Sequence, residues 1–449
     1  MLLVFILIGC IIGIHALPCL KKEYPDGIVC VCTEEYCDTL ENVDLIEKDD
    51  IVLVSTSMAG LRFEVTHSKH GRRNSFIANS TKYGINIMSK GDALHPDEST
   101  DNLSNLLCMN IDVTVNRSIT YQTNVGFGGA FTGAVSHVME TIPKKLQNHV
   151  YRSYFSKTEG IGYTMIRMPI GGSDFDFVPW AHQESPVHDA SLSNFLSLDK
   201  RDFKRAIWVG EHLGPLLRNS SFKDVKLLGG DDQRFVMPYW FEQMNASHKD
   251  ALRYLDGFAV HWYWNDVTPV VLLDDTHRLF PDKFILNTES CIVDKLVGVF
   301  PMTFHGPLLG SWERAEQYAQ SYIEDFTHWV VGWVDWNIVL DEAGGPNYVN
   351  GTVDAPIIVN TTAKNEFYKQ PMFYAIGHFS RFIVENSTRI KVHSSNDCVL
   401  TVGYQRPDKS IVIVLFNKDS QKTNIKLRDG NTKIRLTVPP RSIHTLVYY

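Results

Sequence analysis

The stretch "KFILNTESCIVD", residues 283–294, decides how the chain is read. An apolar run of strand length, Phe284 to Leu286, leads straight into Asn287, Thr288 and Glu289, and Cys291 and Ile292 then resume the apolar character. A carboxylate that follows a buried strand is costly unless a partner compensates it. The plain reading of Glu289 is a salt-bridge partner. The functional reading is a catalyst, because (β/α)8 barrels collect their active-site residues at the C-terminal ends of their strands.

Other runs end the same way. "NVGFGGAFT" (124–132), "GYTMIRMPI" (162–170), "VKLLGGDD" (225–232), "DGFAVHWYW" (256–264) and "VVGWVDWNIVL" (330–340) read as buried strands. They alternate with helix-like segments at 143–155, 203–217, 238–252 and 312–328, the order of βα units around a parallel sheet. The expected fold is α/β, a TIM-type barrel over residues 123–385, with six visible strands where a barrel needs eight. Short β-rich runs with turn residues between them, "DIVLVST", "LRFEVTH", "SIVIVLFN" and "SIHTLVYY", occupy 46–122 and 386–449. Together they predict a β-sandwich built from both chain ends.

The strand ends carry the chemistry. Asp174 and Asp176 follow the second run, Asp231, Asp232 and Gln233 the third, His261 to Tyr263 the fourth, Glu289 the fifth, and Asp335 to Asn337 lie on the last. Carboxylates and amides that bind hydroxyls, mixed with aromatic faces that stack on C–H surfaces, suit a sugar. Each residue also has a plainer reading: Asp174 and Asp231 as helix caps, His261 as a structural imidazole, Trp333 and Trp336 as core. Phosphate chemistry is disfavoured, since neither a G-x-x-x-x-G-K-[ST] nor a G-x-G-x-x-G loop occurs, and "GFGG" at 126–129 lies in a strand-like run.

Composition sets the surroundings. With 449 residues, 44% hydrophobic and 21% charged, the chain can bury a large core, and a net charge of -8 without a long basic block argues against nucleic acid. Residues 1–16 read as a secretory signal peptide, an uncleaved anchor being the alternative, and 17–45 form a cysteine-rich segment. Cys19, Cys30, Cys32 and Cys37 suggest two disulfides in preference to zinc, because Cys30 and Cys32 are separated by one residue. Whether Cys108 and Cys398 pair is left open. Sequons at Asn79, Asn102, Asn116, Asn219, Asn245, Asn350, Asn360 and Asn386 predict a glycoprotein. No cofactor or metal is expected.

"GFGGAFTGA", "YFSKTEGIGYTMIRMPIGGSDF", "LLGGDDQR", "GFAVHWYW", "THRLFPDKFILNTESC", "VVGWVDWNIVLDEAGGPNY" and "FYKQPMFYAIGHFSRFI" closely resemble the glucosylceramidases, retaining β-glucosidases of glycoside hydrolase family 30. The resemblance runs in order over nearly the whole chain. It implies a barrel carrying a β-sandwich, Glu289 as nucleophile, and Asp174, Gln233, Tyr263 and Trp336 as glucose-binding residues. It also implies disulfides Cys19–Cys30 and Cys32–Cys37. The substrate would be glucosylceramide or another β-glucoside, split to glucose and ceramide in sphingolipid catabolism. The setting would be a lysosomal membrane surface, reached through the secretory pathway, with a lipid-presenting activator protein as a partner.

The departures matter as much. The family's pattern "GGAxTDA" has an aspartate where this chain has Gly133, and the loop after "GGPN" reads Gly351 and Thr352. More seriously, Leu198 and Phe203 stand a few residues apart where the family carries its third and fourth barrel strands. The fourth of these ends in Asn-Glu-Pro, whose glutamate is the general acid/base, and no Asn-Glu-Pro occurs here. Two expectations follow: a family hydrolase whose present sequence is an incomplete form, or a catalytically dead secreted relative that binds a glycolipid or protein.

Overall fold

The computed structural model describes residues 16–43, 47–69, 108–169, 173–178, 214–221, 223–247, 251–293 and 306–449, with two short strands at Phe76–Ile77 and Asn86–Ile87. The leader, Asn79, Asn102 and the junction between Leu198 and Phe203 lie outside them. Among the described residues, no helix is long and apolar enough to cross a membrane.

Six parallel strands form the centre: β1 (Gly126–Ala130), β2 (Met165–Arg167), β3 (Leu228–Gln233), β4 (Gly257–His261), β5 (Phe284–Glu289) and β6 (Val330–Asn337). Their order is β3-β4-β5-β6-β1-β2, which leaves β2 and β3 as the edges of the described sheet. All eight residues of β6 are buried, as expected of a strand covered on both faces. In the "GFGG" run, a Cβ on Gly128 would stand 2.3 Å from the Met165 carbonyl oxygen. Gly128 therefore serves close approach of β1 to β2.

The predicted helices are present where described, at Lys144–Phe155, Gly214–Arg218, Tyr239–Ser247, Ala251–Tyr254 and Trp312–Thr327. Three further ones occur: α1 (Gly133–Glu140), Val271–Leu279 and Pro371–Ser380. The last is buried at every position and starts with Pro371 as its first residue, where a missing N–H costs nothing. It lies between Trp312–Thr327 and the sandwich strands.

Nine strands from both chain ends make one sheet that folds over its own core. Alternation assigns the faces: Ile411, Ile413 and Leu415 fill the sandwich interior, whereas Val412, Val414 and Phe416 pack in the core shared with the barrel. Asp50–Ser57 pairs from Ile51 to Ser57 with the whole of Ser442–Tyr448. The run at 330–340 proves to be two strands, because Val339–Asp341 leaves the barrel. It joins a second sheet with Ile357–Val359, Glu366–Lys369, Gly27–Thr33 and Lys21–Tyr24. The cysteine-rich segment is thus a hairpin added to the barrel's flank.

Disulfides join Cys19 to Cys30 and Cys32 to Cys37, as the resemblance implied, and Cys108 pairs with Cys398 across the sandwich. Asn116, Asn219, Asn245, Asn350 and Asn386 are exposed. Asn360 is half-buried, and its Nδ2 donates to Tyr368 Oη at 3.1 Å.

Candidate active site

The C-terminal ends of the six strands converge, and Glu289 closes β5 at their centre. Its Oε1 accepts a hydrogen bond from Tyr263 Oη at 2.9 Å, and its Oε2 accepts one from Arg167 Nη1 at 2.5 Å. Arg167 ends β2. Its Nη1 also donates to the Thr288 carbonyl oxygen, and its Nη2 donates to Asp231 Oδ2 at 3.0 Å. Its guanidinium lies 5.0 Å from the centroid of Trp336. One fork thereby holds a carboxylate on β5 and another on β3 while lying against the pocket's tryptophan.

Asp231 occupies the left-handed region at φ 64 and caps no helix. Its Oδ1 is bonded to His261 Nε2 at 2.9 Å and accepts from Thr288 Oγ1 at 2.7 Å. Although burial opposes its charge, the hydrogen bond with His261 and the Arg167 charge hold its carboxyl far below the usual carboxylate range. Asp231 is therefore a fixed anion and a poor proton donor. His261 is tied to it and lies 4.0 Å from Glu289 through Nδ1.

Asp174 stands at the exposed mouth. Its carboxylate accepts from Asn347 Nδ2 at 3.3 Å and its carbonyl from the Tyr348 amide at 3.1 Å. Partial burial of the carboxyl and, after it, the charge of Glu289 push its pKa up. The mutual influence places the two carboxyls in one electrostatic neighbourhood. Trp336 is buried and anchored by its own N–H to the Ser290 carbonyl at 2.7 Å, with Phe175 edge-on to its ring. Tyr263 Oη also lies 3.3 Å from the Sγ of Cys291, the one free cysteine among the described residues, and burial pushes the Cys291 thiol up.

Tyr263 and Arg167 are thus gathered on Glu289, Trp336 lies against Arg167, and Asp174 feels the charge of Glu289. Gln233 is not drawn into their hydrogen bonds: it pairs with His261 in the β3–β4 register, and its Oε1 is buried without a partner. Asp335, another strand-end carboxylate, turns away from the pocket and accepts from Tyr318 Oη at 2.7 Å; burial pushes it up to about 8. Trp333 is core, stacked on Tyr322. Little in the sequence marks Arg167, which sits on a three-residue strand with no aromatic or acidic residue beside it in the chain.

A parallel barrel sheet, a sandwich beside it, and a carboxylate held at a strand end next to Tyr263 and Trp336 fit a glycoside-hydrolase scaffold. The match to known proteins is narrower. The Glycosyl hydrolase family 30 TIM-barrel domain model matches residues 124–210 and 206–383, and the family's beta sandwich domain model matches 386–446. The chain belongs to glycosyl hydrolase family 30. Lysosomal acid glucosylceramidase of Mus musculus is 30% identical to it over 96% of each chain. In fold it resembles SrfJ from Salmonella typhimurium (TM-score 0.69, 18% identity, 89% of this chain and 99% of that one). It resembles the endo-β1,6-glucanase BT3312 similarly (TM-score 0.66, 16% identity, the same coverage).

Proposed function

We propose that the chain carries the glycone half of a retaining β-glucosidase site for glucosylceramide, with Glu289 as nucleophile, and that the acid/base half is missing from this form. The observation that carries the reading is the geometry of Glu289. Arg167 and Tyr263 occupy one hydrogen-bonding position on each oxygen and fix the carboxylate at the strand end. Its carboxylate would attack the anomeric carbon to form a glycosyl ester while the C–O bond to ceramide breaks. Trp336 and Tyr263 would line the glucose pocket, and Asp174 and Gln233 would bind its hydroxyls.

The departing alkoxide needs a proton, and the ester then needs an activated water. A retaining enzyme supplies both from a second carboxyl about 5 to 5.5 Å from the first. Asp231, held as an anion, is unsuited to donate. The described sheet has its edges at β2 and β3, the place for the two strands that carry the family's acid/base. Two observations favour a lost segment. The barrel model matches in two pieces that meet near residue 206, and the alignment with the mouse enzyme extends over 537 positions against the 449 residues of this chain.

The setting follows from the same reading: passage through the secretory pathway behind a cleaved leader, glycans on the exposed sequons, and a lysosomal membrane surface with a lipid-presenting activator. A catalytically dead relative that retains glycolipid binding is the second reading, favoured by a Glu289 held in place in a described sheet that ends at β2 and β3.

The decisive comparison is between this chain and one with a family-like insert between Leu198 and Phe203 ending in Asn-Glu-Pro, assayed on glucosylceramide at acidic pH. General acid/base catalysis is worth roughly 100- to 10,000-fold, so only the longer form should turn over. Equal turnover would refute the missing-acid argument. In the longer form a cyclitol epoxide should esterify Glu289; labelling of Asp174 or Asp335 instead would overturn the nucleophile assignment.

A further inference from the structure

One carboxylate, that of Asp176, fills the space left by the missing side chain of Gly133. α1 starts at Gly133 behind its cap Thr132, whose Oγ1 accepts from the Val135 amide, and its first turn holds no acidic residue. A Cβ placed on Gly133 would come 1.7 Å from Asp176 Oδ1 and 2.6 Å from its Cγ. The Asp176 carboxylate therefore sits where any side chain at 133 would begin. An aspartate there, as in the family's "GGAxTDA" pattern, and Asp176 in its present position exclude each other.

Asp176 also closes the turn that carries Asp174. Its Oδ2 accepts from the Ser173 amide at 2.8 Å, and Ser173 Oγ accepts from the Phe175 amide at 3.2 Å. The Phe175 carbonyl accepts from the Ala134 amide at 2.7 Å, which fastens the turn to α1, and the Phe175 ring packs against Trp336. A negative charge over the start of a helix is favourably placed with respect to the helix dipole. Asp174 is thus held between this closed turn and Asn347 with Tyr348.

We infer that Asp176 is a positioning residue for the sugar pocket: its carboxylate, seated in the space Gly133 leaves open, fixes the turn that presents Asp174. Because that carboxylate fills the space a side chain at 133 would need, glycine at 133 and aspartate at 176 are sterically coupled. The inference rests on the glucose-pocket reading for its consequence and on the turn alone for its geometry.

The test uses the full chain and four proteins: wild type, Asp176→Ala, Gly133→Ala, and the exchange variant Gly133→Asp with Asp176→Gly. Hydrogen exchange of the 173–178 peptide should quicken about tenfold in each single variant, as expected for local opening when a turn loses its closing hydrogen bond, and return to within roughly threefold of wild type in the exchange variant. Global melting should shift little in Asp176→Ala, which remains informative if Gly133→Ala fails to fold. Affinity for 1-deoxynojirimycin, read by calorimetry, should fall and recover in parallel. Wild-type exchange rates in Asp176→Ala, or an exchange variant that folds without restoring protection, would overturn the inference. A wild-type chain that takes up no iminosugar would refute the glucose pocket instead, while the exchange rates still decide the role of Asp176.

Discussion

Arg167 touches more of the site than any residue the sequence marked out, since Glu289, Asp231 and the Thr288 carbonyl share its fork. A lysine in its place reaches one of the two carboxylates but not both. Losing a charge-assisted hydrogen bond at a partly buried site costs about 2 to 3 kcal/mol, so Arg167→Lys in the form carrying the insert should slow epoxide labelling of Glu289 by roughly 30- to 150-fold with little change in secondary structure. Labelling at the wild-type rate would show that Tyr263 alone orients the nucleophile. Glu289 and Tyr263 were legible because each follows an apolar strand with a polar group out of place. Asp231 and His261 were visible but ambiguous, since their meaning lies in a 2.9 Å contact between residues 30 apart in sequence. Gly133 was visible as a departure, but only the fold shows Asp176 standing over it.

Among elements, the barrel strands announced themselves through near-continuous apolar runs, and "NTES" fixed which end of β5 mattered. Pro371–Ser380 did not, because a helix buried on every side shows no polar face and hence no 3.6-residue period. The split at residue 338 was equally hidden, for buried strands in two sheets read alike. The sandwich gains a covalent tie from Cys108–Cys398, which closes a loop of 290 residues in the unfolded chain. Removing it by paired Cys→Ser changes should cost about 2 to 5 kcal/mol. The thermal midpoint should therefore drop while Glu289 labelling below the transition stays at the wild-type rate, because the bridge lies at the sandwich and touches none of the site residues. A fall in labelling at low temperature would mean that the sandwich sets the pocket's shape.

At the scale of the molecule, buried ionisable groups of opposite type determine the response to pH. His378 and His444 lie between Pro371–Ser380 and the sandwich, bonded to Thr56, Thr445, Ser55 and Ser442. Burial drives both down, His444 to about 3. Their contribution is full above the ordinary histidine value of 6.5 and is lost as pH falls toward 3. Asp335 runs the other way: burial lifts it from 3.8 to about 8, so its contribution is full below 3.8 and is lost as pH rises to 8. Asp354, lifted by burial to about 6 despite its ion pair with Arg314, adds to the acid side. Between about pH 4 and 6 the histidines oppose the acids, and above 6.5 the loss from Asp335 continues at about 1.4 kcal/mol per pH unit. The melting temperature should change less from pH 4.5 to 6 than from 6.5 to 8, where it falls, and Asp335→Asn should reduce that fall. A midpoint that climbs from pH 6.5 to 8 in the wild type would contradict a neutral Asp335.

The pairing of Asp50–Ser57 with Ser442–Tyr448 has a consequence for biogenesis. A ribosome delivers the first of these strands hundreds of residues before its partner, and the hairpin at Lys21–Thr33 waits likewise for Glu366–Lys369. The earliest disulfides can close locally, since they span 11 and 5 residues, but neither sheet can be completed until translation is almost over. Until then Ile51, Leu53 and their neighbours present an unsatisfied apolar edge to their surroundings. A premature stop that removes only the last strand would forfeit the sandwich's closure, however intact the barrel behind it.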